Sequence, residues 1–117
     1  MIRSSNDKLV AVREHVFGGD GSITVRNLLN DEEEMYHKGR VFAHTSLQSG
    51  CSIGYHVHKG ESETYYIYSG VGEFNDNGTI KTVKAGDVTY TPSEQGHGIK
   101  NIGEDPLELI ALILYKL

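Results

Sequence analysis

Cysteine, proline and basic residues are scarce in this 117-residue chain, and long apolar runs are absent. The single cysteine, Cys51, excludes an intramolecular disulfide, which fits a reducing compartment. With 11 basic against 16 acidic residues the net charge is −5, and there is no basic stripe, so we expect no nucleic-acid partner. No stretch is long enough to span a bilayer, and residues 1–7 lack the apolar core of a signal peptide. We therefore expect a cytoplasmic protein without membrane association.

The length and the apolar pattern predict one all-β domain over residues 1–117. A chain of this size can bury a single core but not two. Its apolar residues alternate in short runs between clusters of Gly, Asn, Asp and Ser, which is typical of sandwiches and barrels. Asn77-Gly78 is typical of a type I′ hairpin turn, because both residues accept positive φ angles. Ten strands are predicted, over residues 9–12, 23–28, 41–47, 52–58, 64–68, 72–75, 79–84, 87–91, 98–101 and 107–115.

A spaced set of histidines and one carboxylate predicts a metal site. His56 and His58 are two residues apart, so on a strand both imidazoles project to the same side. Glu63 and His97 complete the set. Imidazole and carboxylate donors without a thiolate suit Mn²⁺, Fe²⁺, Co²⁺, Ni²⁺ or Zn²⁺ and argue against a structural zinc knot. The pattern predicts one divalent ion per chain without choosing among these metals.

The spacing of these residues resembles the cupin family. The first family motif, Gly-x5-His-x-His-x3,4-Glu-x6-Gly, is matched at every fixed position, by Gly50, His56, His58, Glu63 and Gly70. The second motif, Gly-x5-Pro-x-Gly-x2-His-x3-Asn, is matched by Gly86, Pro92, His97 and Asn101. Glu94 stands where the family usually has glycine. This departure concerns the backbone of the turn, because glycine tolerates φ > 0 and glutamate generally does not.

The resemblance implies a fold and a range of functions. The fold is a double-stranded β-helix, the cupin jelly-roll barrel, with the ion inside the barrel mouth and two adjacent coordination positions open to a small-molecule ligand. Cupins include dioxygenases, decarboxylases, isomerases, epimerases and binding proteins. We expect a small metalloenzyme, related to oxalate-decarboxylase-like proteins, that acts on a carboxylate, keto/enol compound or sugar by decarboxylation, isomerisation or dioxygenation. The alternatives are a non-catalytic module that binds or senses a metal or metabolite, and a purely structural metal barrel.

Three further residues are candidates for catalysis. Tyr65 shares the strand face of Glu63, so its hydroxyl can act in the pocket, or its ring can pack in the core. Glu94 can cap its turn at the surface or lean over the metal as an acid or base. His44 lies on a strand that can run beside the pocket. Glu61 is a rival to Glu63 as a ligand, but we expect it in the turn.

Strand alternation also makes a prediction about the space around the metal. Ser52 and Gly54 should share the face of His56, and their small size should leave room above the ion. Tyr55 and Val57 should point the other way and pack between the sheets.

The last predicted strand indicates association between subunits. Apolar residues line both of its faces, with Leu109, Ala111 and Ile113 on one and Ile110, Leu112 and Leu114 on the other. A small sandwich needs only one buried face, so another sheet or a second subunit must cover the other. Single-domain proteins that resemble this one are commonly dimers with exchanged or paired N-terminal strands. We predict a homodimer to which the N-terminal segment 1–38 contributes.

Overall fold

Ten strands make up nearly all of the regular structure in the computed structural model, which describes residues 1–117. In chain order they are β1 Val10–Glu14, β2 Ser22–Leu29, β3 Gly39–Leu47, β4 Ser52–Val57, β5 Glu61–Ser69, β6 Val71–Asp76, β7 Thr79–Lys84, β8 Val88–Thr91, β9 Gly96–Asn101 and β10 Leu107–Tyr115. Two short 3₁₀ turns, Ser5–Asp7 and Val16–Gly18, are the helical pieces. No helix is long and apolar enough to cross a membrane. The predicted all-β class is confirmed, and each predicted strand overlaps an observed one.

The strands form two antiparallel sheets that enclose a core. One sheet has six strands in the order β1-β2-β3-β10-β5-β8, and the other has four in the order β4-β9-β6-β7. The chain crosses repeatedly between the sheets, as in the double-stranded β-helix that the resemblance implies. The predicted hairpin turn is confirmed, since Asn77 and Gly78 have φ angles of 50° and 100° and join β6 to β7.

The core lies between the sheets and extends to the predicted metal ligands. Its buried residues come from both sheets: Ile23, Leu47, Ile53, Tyr65, Ile67, Phe74, Val83, Ile99, Leu107, Leu109 and Ala111. The rings of Tyr65 and Phe74 lie against the ring of His97, with centroids 5.0 and 5.7 Å away. The apolar core therefore forms one wall of the candidate site.

The outer face of the six-stranded sheet has no covering sheet. On β10, Ile110 and Leu112 are half-buried and Leu114 is exposed, whereas the alternate residues are buried in the core. All five residues of the edge strand β1 are exposed. The observation behind the dimer prediction therefore holds, and the dimer itself stays a prediction.

Candidate metal centre

Three strand segments bring together the ligand group, which we define as His56, His58, Glu63 and His97. His56 on β4 pairs directly opposite His97 on β9, and His58 follows the end of β4 by one residue. Glu63 comes from β5 in the other sheet. The ligand atoms of all four residues lie within 4.8 Å of one another. The structure thus assembles the predicted residues as a group that can hold a metal ion.

A β-bulge in β4 turns His56 towards this group. Ile53 pairs with Ile99 and His56 pairs with His97, so three residue steps on β4 face two on β9. Strict alternation from the buried Ile53 would turn His56 outwards, and the extra residue restores its inward direction.

Our expectation about the neighbouring residues is wrong. The space beside Gly54 is filled by backbone, because a Cβ atom there would lie 1.9 Å from the carbonyl oxygen of Phe17. The hydroxyl of Ser52 accepts a hydrogen bond from the backbone N–H of Asp20 at 2.7 Å. For Ser52 and Gly54 the alternation argument fails because the inserted residue of the bulge reverses the parity. Tyr55 and Val57 are each 47% exposed and do not pack between the sheets, because His56, which lies between them, faces the core and the opposite face is open to solvent.

The donor atoms of the ligand group converge closely. The Nε2 atoms lie 3.2 Å apart for His56 and His58, 3.0 Å for His58 and His97, and 3.2 Å for His56 and His97. Oε1 of Glu63 lies 3.0 Å from Nε2 of His58 and 2.9 Å from Nε2 of His97. Donor atoms that surround one divalent ion at bond lengths of ~2.1 Å are ~3.0–3.4 Å apart. The four residues could therefore hold one such ion.

The hydrogen bonds of the Nδ1 atoms determine where the lone pairs of the imidazoles point. Nδ1 of His56 lies 2.8 Å from the carbonyl oxygen of Gly54, and Nδ1 of His58 lies 2.8 Å from Oε2 of Glu61. Both partners can only accept, so each Nδ1 donates and, in the neutral ring, Nε2 carries a lone pair. Lone pairs that face one another at 3.2 Å repel unless a proton or a cation lies between them. The donor chemistry therefore fits a bound cation.

The electrostatics of the group favour a negative Glu63. Burial alone would raise the pKa of Glu63, but the hydrogen bonds that His58 and His97 donate from Nε2 when their rings are protonated outweigh burial and hold the pKa at about 2. The hydrogen bond to Glu63 raises the pKa of His58, whereas burial lowers the pKa of His56. At neutral pH the group contains an ionised carboxylate against which a cation can bind.

Glu61 has a role that sequence reasoning missed. It opens β5, and its carboxylate accepts from Nδ1 of His58 instead of turning towards the other ligand atoms. The guanidinium of Arg40 donates to both of its oxygens, at 2.9 and 2.8 Å, and this hydrogen bond lowers the pKa of Glu61. The available signal was the presence of a second carboxylate three residues after His58. Glu61 therefore orients a ligand of the group.

His97 is held in a comparable way. Its Nδ1 lies 3.0 Å from the hydroxyl oxygen of the buried Thr91 on β8. The motif residue Asn101 does not join the group: its amide donates to the carbonyl oxygens of Leu47 and Asp105 at 2.9 Å and holds the loop before β10.

Tyr65 lies beside the ligand group. It is only 2% exposed, and its ring stacks on that of His97 at an interplanar angle of 22°. Burial, reinforced by the negative charge of Glu63, raises the pKa of Tyr65 well above its ordinary value. The phenol is therefore neutral next to the carboxylate. The structure fits a packing role for the ring and leaves a role for the hydroxyl as a prediction.

The side chains of Glu94 and His44 make no hydrogen bond to the ligand group. Glu94 is exposed at φ 77°, in the left-handed region that glycine tolerates, and its backbone N–H donates to the carbonyl oxygen of His58 at 2.7 Å. His44 lies on the outer face of the six-stranded sheet, where Nε2 contacts Glu108 at 2.5 Å and the hydroxyl of Tyr68 at 2.5 Å. The expectation that His44 borders the pocket is not met, because its strand turns this residue away from the core.

Comparison with known proteins places the chain in a family. Residues 43–113 match the cupin domain. The chain belongs to the cupin family. This cupin is 45% identical over 97 residues to an oxalate-binding protein of Thermotoga maritima, an alignment that covers 83% of this chain and 79% of that protein. An uncharacterised protein of Methanocaldococcus jannaschii is 34% identical over 93 residues, which cover 78% of this cupin and 71% of that protein.

Solved structures confirm the fold of this cupin. It matches the crystal structure of a predicted oxalate decarboxylase from Thermotoga maritima with a TM-score of 0.93 and 40% identity, over 98% of this chain and 99% of that chain. It matches KdgF from Halomonas sp. with a TM-score of 0.74 at 14% identity, over 97% and 94% of the two chains. The predicted double-stranded β-helix is therefore confirmed.

Proposed function

We propose that this cupin binds one divalent ion through the ligand group and uses it to bind oxalate or a similar small carboxylate. The observation that carries the proposal is the convergence of three imidazole Nε2 atoms and one carboxylate oxygen, with neighbouring distances from 2.9 to 3.2 Å. A set of three neutral imidazoles and one carboxylate suits a first-row divalent ion such as Mn²⁺, Fe²⁺, Co²⁺, Ni²⁺ or Zn²⁺.

The charge of the group supports an anionic ligand. A bound divalent ion would supply a Lewis-acid centre for the two oxygens of a chelating carboxylate. Glu63 is ionised and cancels one positive charge, while neutral imidazoles cancel none. The loaded site therefore keeps a net positive charge, which attracts an oxalate dianion. The oxalate-binding relative at 45% identity supports the same ligand class.

Calorimetry tests the proposal directly. We expect oxalate to bind the Mn²⁺-loaded protein and not the metal-free protein, and acetate, which lacks the second carboxylate, to bind the loaded protein much more weakly. His97→Ala should abolish oxalate binding. His37→Ala, which removes an exposed histidine outside the group, should bind like the wild type. Equal oxalate binding by the metal-free protein would overturn the proposal.

A catalytic role is the second candidate, and the position of Tyr65 beside the group favours it. Decarboxylation of oxalate breaks its carbon–carbon bond, releases CO₂, and leaves a carbon that must take up one proton to become formate. The hydroxyl of Tyr65 is the candidate donor, since the Tyr65 ring stacks on His97 whereas the side chains of Glu94 and His44 make no hydrogen bond to the group. Carbon NMR of ¹³C-oxalate with the Mn²⁺-loaded protein separates the two roles. Binding alone gives no formate, whereas formate production would establish decarboxylation. Loss of formate production in Tyr65→Phe would then support Tyr65 as the proton donor.

The outer face of the six-stranded sheet supports the predicted homodimer. Its apolar residues include Val10 and Val12, which are 57% and 66% exposed on β1, and Leu114 on β10. The polar side chains of Ser46, His44 and Glu108 on this face are already paired, since Glu108 accepts from Ser46 at 2.5 Å and contacts His44. A second copy can therefore cover the face without leaving these groups unpaired.

A further inference from the structure

Phe17 stacks on a member of the ligand group although it is largely exposed. Its ring lies parallel to the ring of His56, with centroids 3.8 Å apart and an interplanar angle of 11°. Phe17 is 62% exposed, so burial in the core does not explain its position. His56 is the least buried of the four ligands. The ring of Phe17 therefore covers the ligand that is most accessible to water.

The backbone around Phe17 adopts an unusual conformation to place this ring. We call His15–Gly19, between β1 and β2, the Phe17 turn. His15 and Phe17 have φ angles of 49° and 50°, in the left-handed region that bulky residues avoid. Backbone bonds from Gly18 to His15 and from Gly19 to Val16, both 3.0 Å, close the turn, and Val16 packs against the core. The surrounding contacts thus hold Phe17 in a conformation that its own side chain disfavours.

Two glycines allow the Phe17 turn to lie directly on β4. A Cβ at Gly54 would lie 1.9 Å from the carbonyl oxygen of Phe17, and a Cβ at Gly19 would lie 2.2 Å from that of Ser52. The carbonyl oxygen of Gly54 also accepts the hydrogen bond from Nδ1 of His56 at 2.8 Å. Gly54 therefore contacts both the Phe17 turn and His56. Two contacts orient the imidazole of His56: the hydrogen bond from its Nδ1 to Gly54 and the ring of Phe17, which lies across its face.

We propose that Phe17 is a positioning residue of the metal centre, which holds the ring of His56 in its ligating orientation and shields it from water. The inference rests on the metal-binding part of the proposed function. Loss of the ring should free His56 to rotate, so a bound ion should leave faster and the coordination around it should change.

The test uses Co²⁺ alone, whose visible absorption reports the ligands around it. In Phe17→Ala we expect EDTA to remove Co²⁺ about fivefold faster than from the wild type, because an aromatic stack of this kind contributes a fold-change of that order. The Co²⁺ spectrum should change as well. Phe17→Tyr, which keeps the stacked ring at an exposed position, should restore both the rate and the spectrum. If Phe17→Ala is unstable, Phe17→Leu takes its place, because it also removes the aromatic ring but keeps an apolar side chain.

Tyr36→Ala is the matched control, because Tyr36 is also exposed, at 83%, and also has a positive φ of 51°, but lies in another turn. It should behave like the wild type. Wild-type removal rates and spectra in both Phe17→Ala and Phe17→Leu would overturn the inference alone. Failure of the wild type to bind Co²⁺ would overturn the proposed function together with the inference.

Discussion

Nδ1 of His58 lies 2.8 Å from Oε2 of Glu61, and the guanidinium of Arg40 donates to both oxygens of the same carboxylate. This chain of contacts runs from a partly exposed arginine to a buried member of the ligand group. It fixes the proton on Nδ1 and directs the lone pair on Nε2 towards the other ligand atoms. A carboxylate behind a metal-binding histidine also makes that histidine a better donor.

Removal of Glu61 should weaken metal binding without removing a ligand. We expect Glu61→Ala to lower Mn²⁺ or Co²⁺ affinity about 10-fold to 100-fold, the usual effect of losing such a partner. Glu61→Gln, whose amide oxygen can still accept from Nδ1 of His58, should lose less metal affinity. Chelator competition measures both, and Glu104→Gln, an exposed carboxylate outside the site, is the control. If Glu61→Ala binds metal like the control variant, this role for Glu61 is wrong.

The substitution Glu94→Gly should stabilise the protein. Glu94 has φ 77°, and glycine relieves that strain at some cost in unfolded-chain entropy, so we expect a net gain of about 0.5–1 kcal/mol. Glu94→Ala keeps the Cβ and removes the carboxylate, so it should show no such gain. Denaturant unfolding separates the two effects. Loss of metal binding in either variant would contradict the surface role of this carboxylate.

Glu63 should make the stability of the metal-free protein sensitive to acid. Its pKa is about 2 in the folded chain against an ordinary 4.5, so its stabilising effect is complete above 4.5 and is lost as the pH falls towards 2. The difference corresponds to about 3 kcal/mol. The free energy of unfolding, measured in EDTA between pH 6 and pH 2.5, should fall in the wild type as the pH is lowered. Glu63→Gln should not show this fall. The same acid dependence in both proteins would refute the assignment.

The dimer proposal makes a prediction about one residue of β10. Light scattering at micromolar concentration should give twice the chain mass for the wild type. Leu112→Glu places a charge on the half-buried outer face and should yield monomers. Ile80→Glu changes a residue that is 56% exposed on the other sheet and should leave the dimer intact. A wild type that stays monomeric at every concentration would rule the dimer out.

The fold and the ligand group could be predicted because local patterns determine them. The alternation of apolar residues predicted the strands, and Asn77-Gly78 predicted a hairpin. The motif spacing predicted that the four members of the ligand group lie together. The bulge before His56 could not be predicted, because the inserted residue leaves no mark in the pattern of apolar residues.

Other features depend on contacts between distant segments. β3 carries apolar residues on both faces, Val41 and Ala43 on one and Phe42 on the other, so alternation does not reveal which face His44 shares. The stack of Phe17 on His56 joins residues 39 positions apart and has no local motif. The ion pair that holds Glu61 in place likewise becomes visible only when β3 brings Arg40 beside it.

Metal stoichiometry tests the central claim most directly. After loading with Co²⁺ and removal of free ion, elemental analysis should give one ion per chain for the wild type and for His37→Ala. His58→Ala should retain clearly less than one, and the His56→Ala/His58→Ala double variant should retain none, because the remaining two ligands are too few for this site. A double variant that still holds one ion per chain would contradict the claim that the ligand group binds the metal.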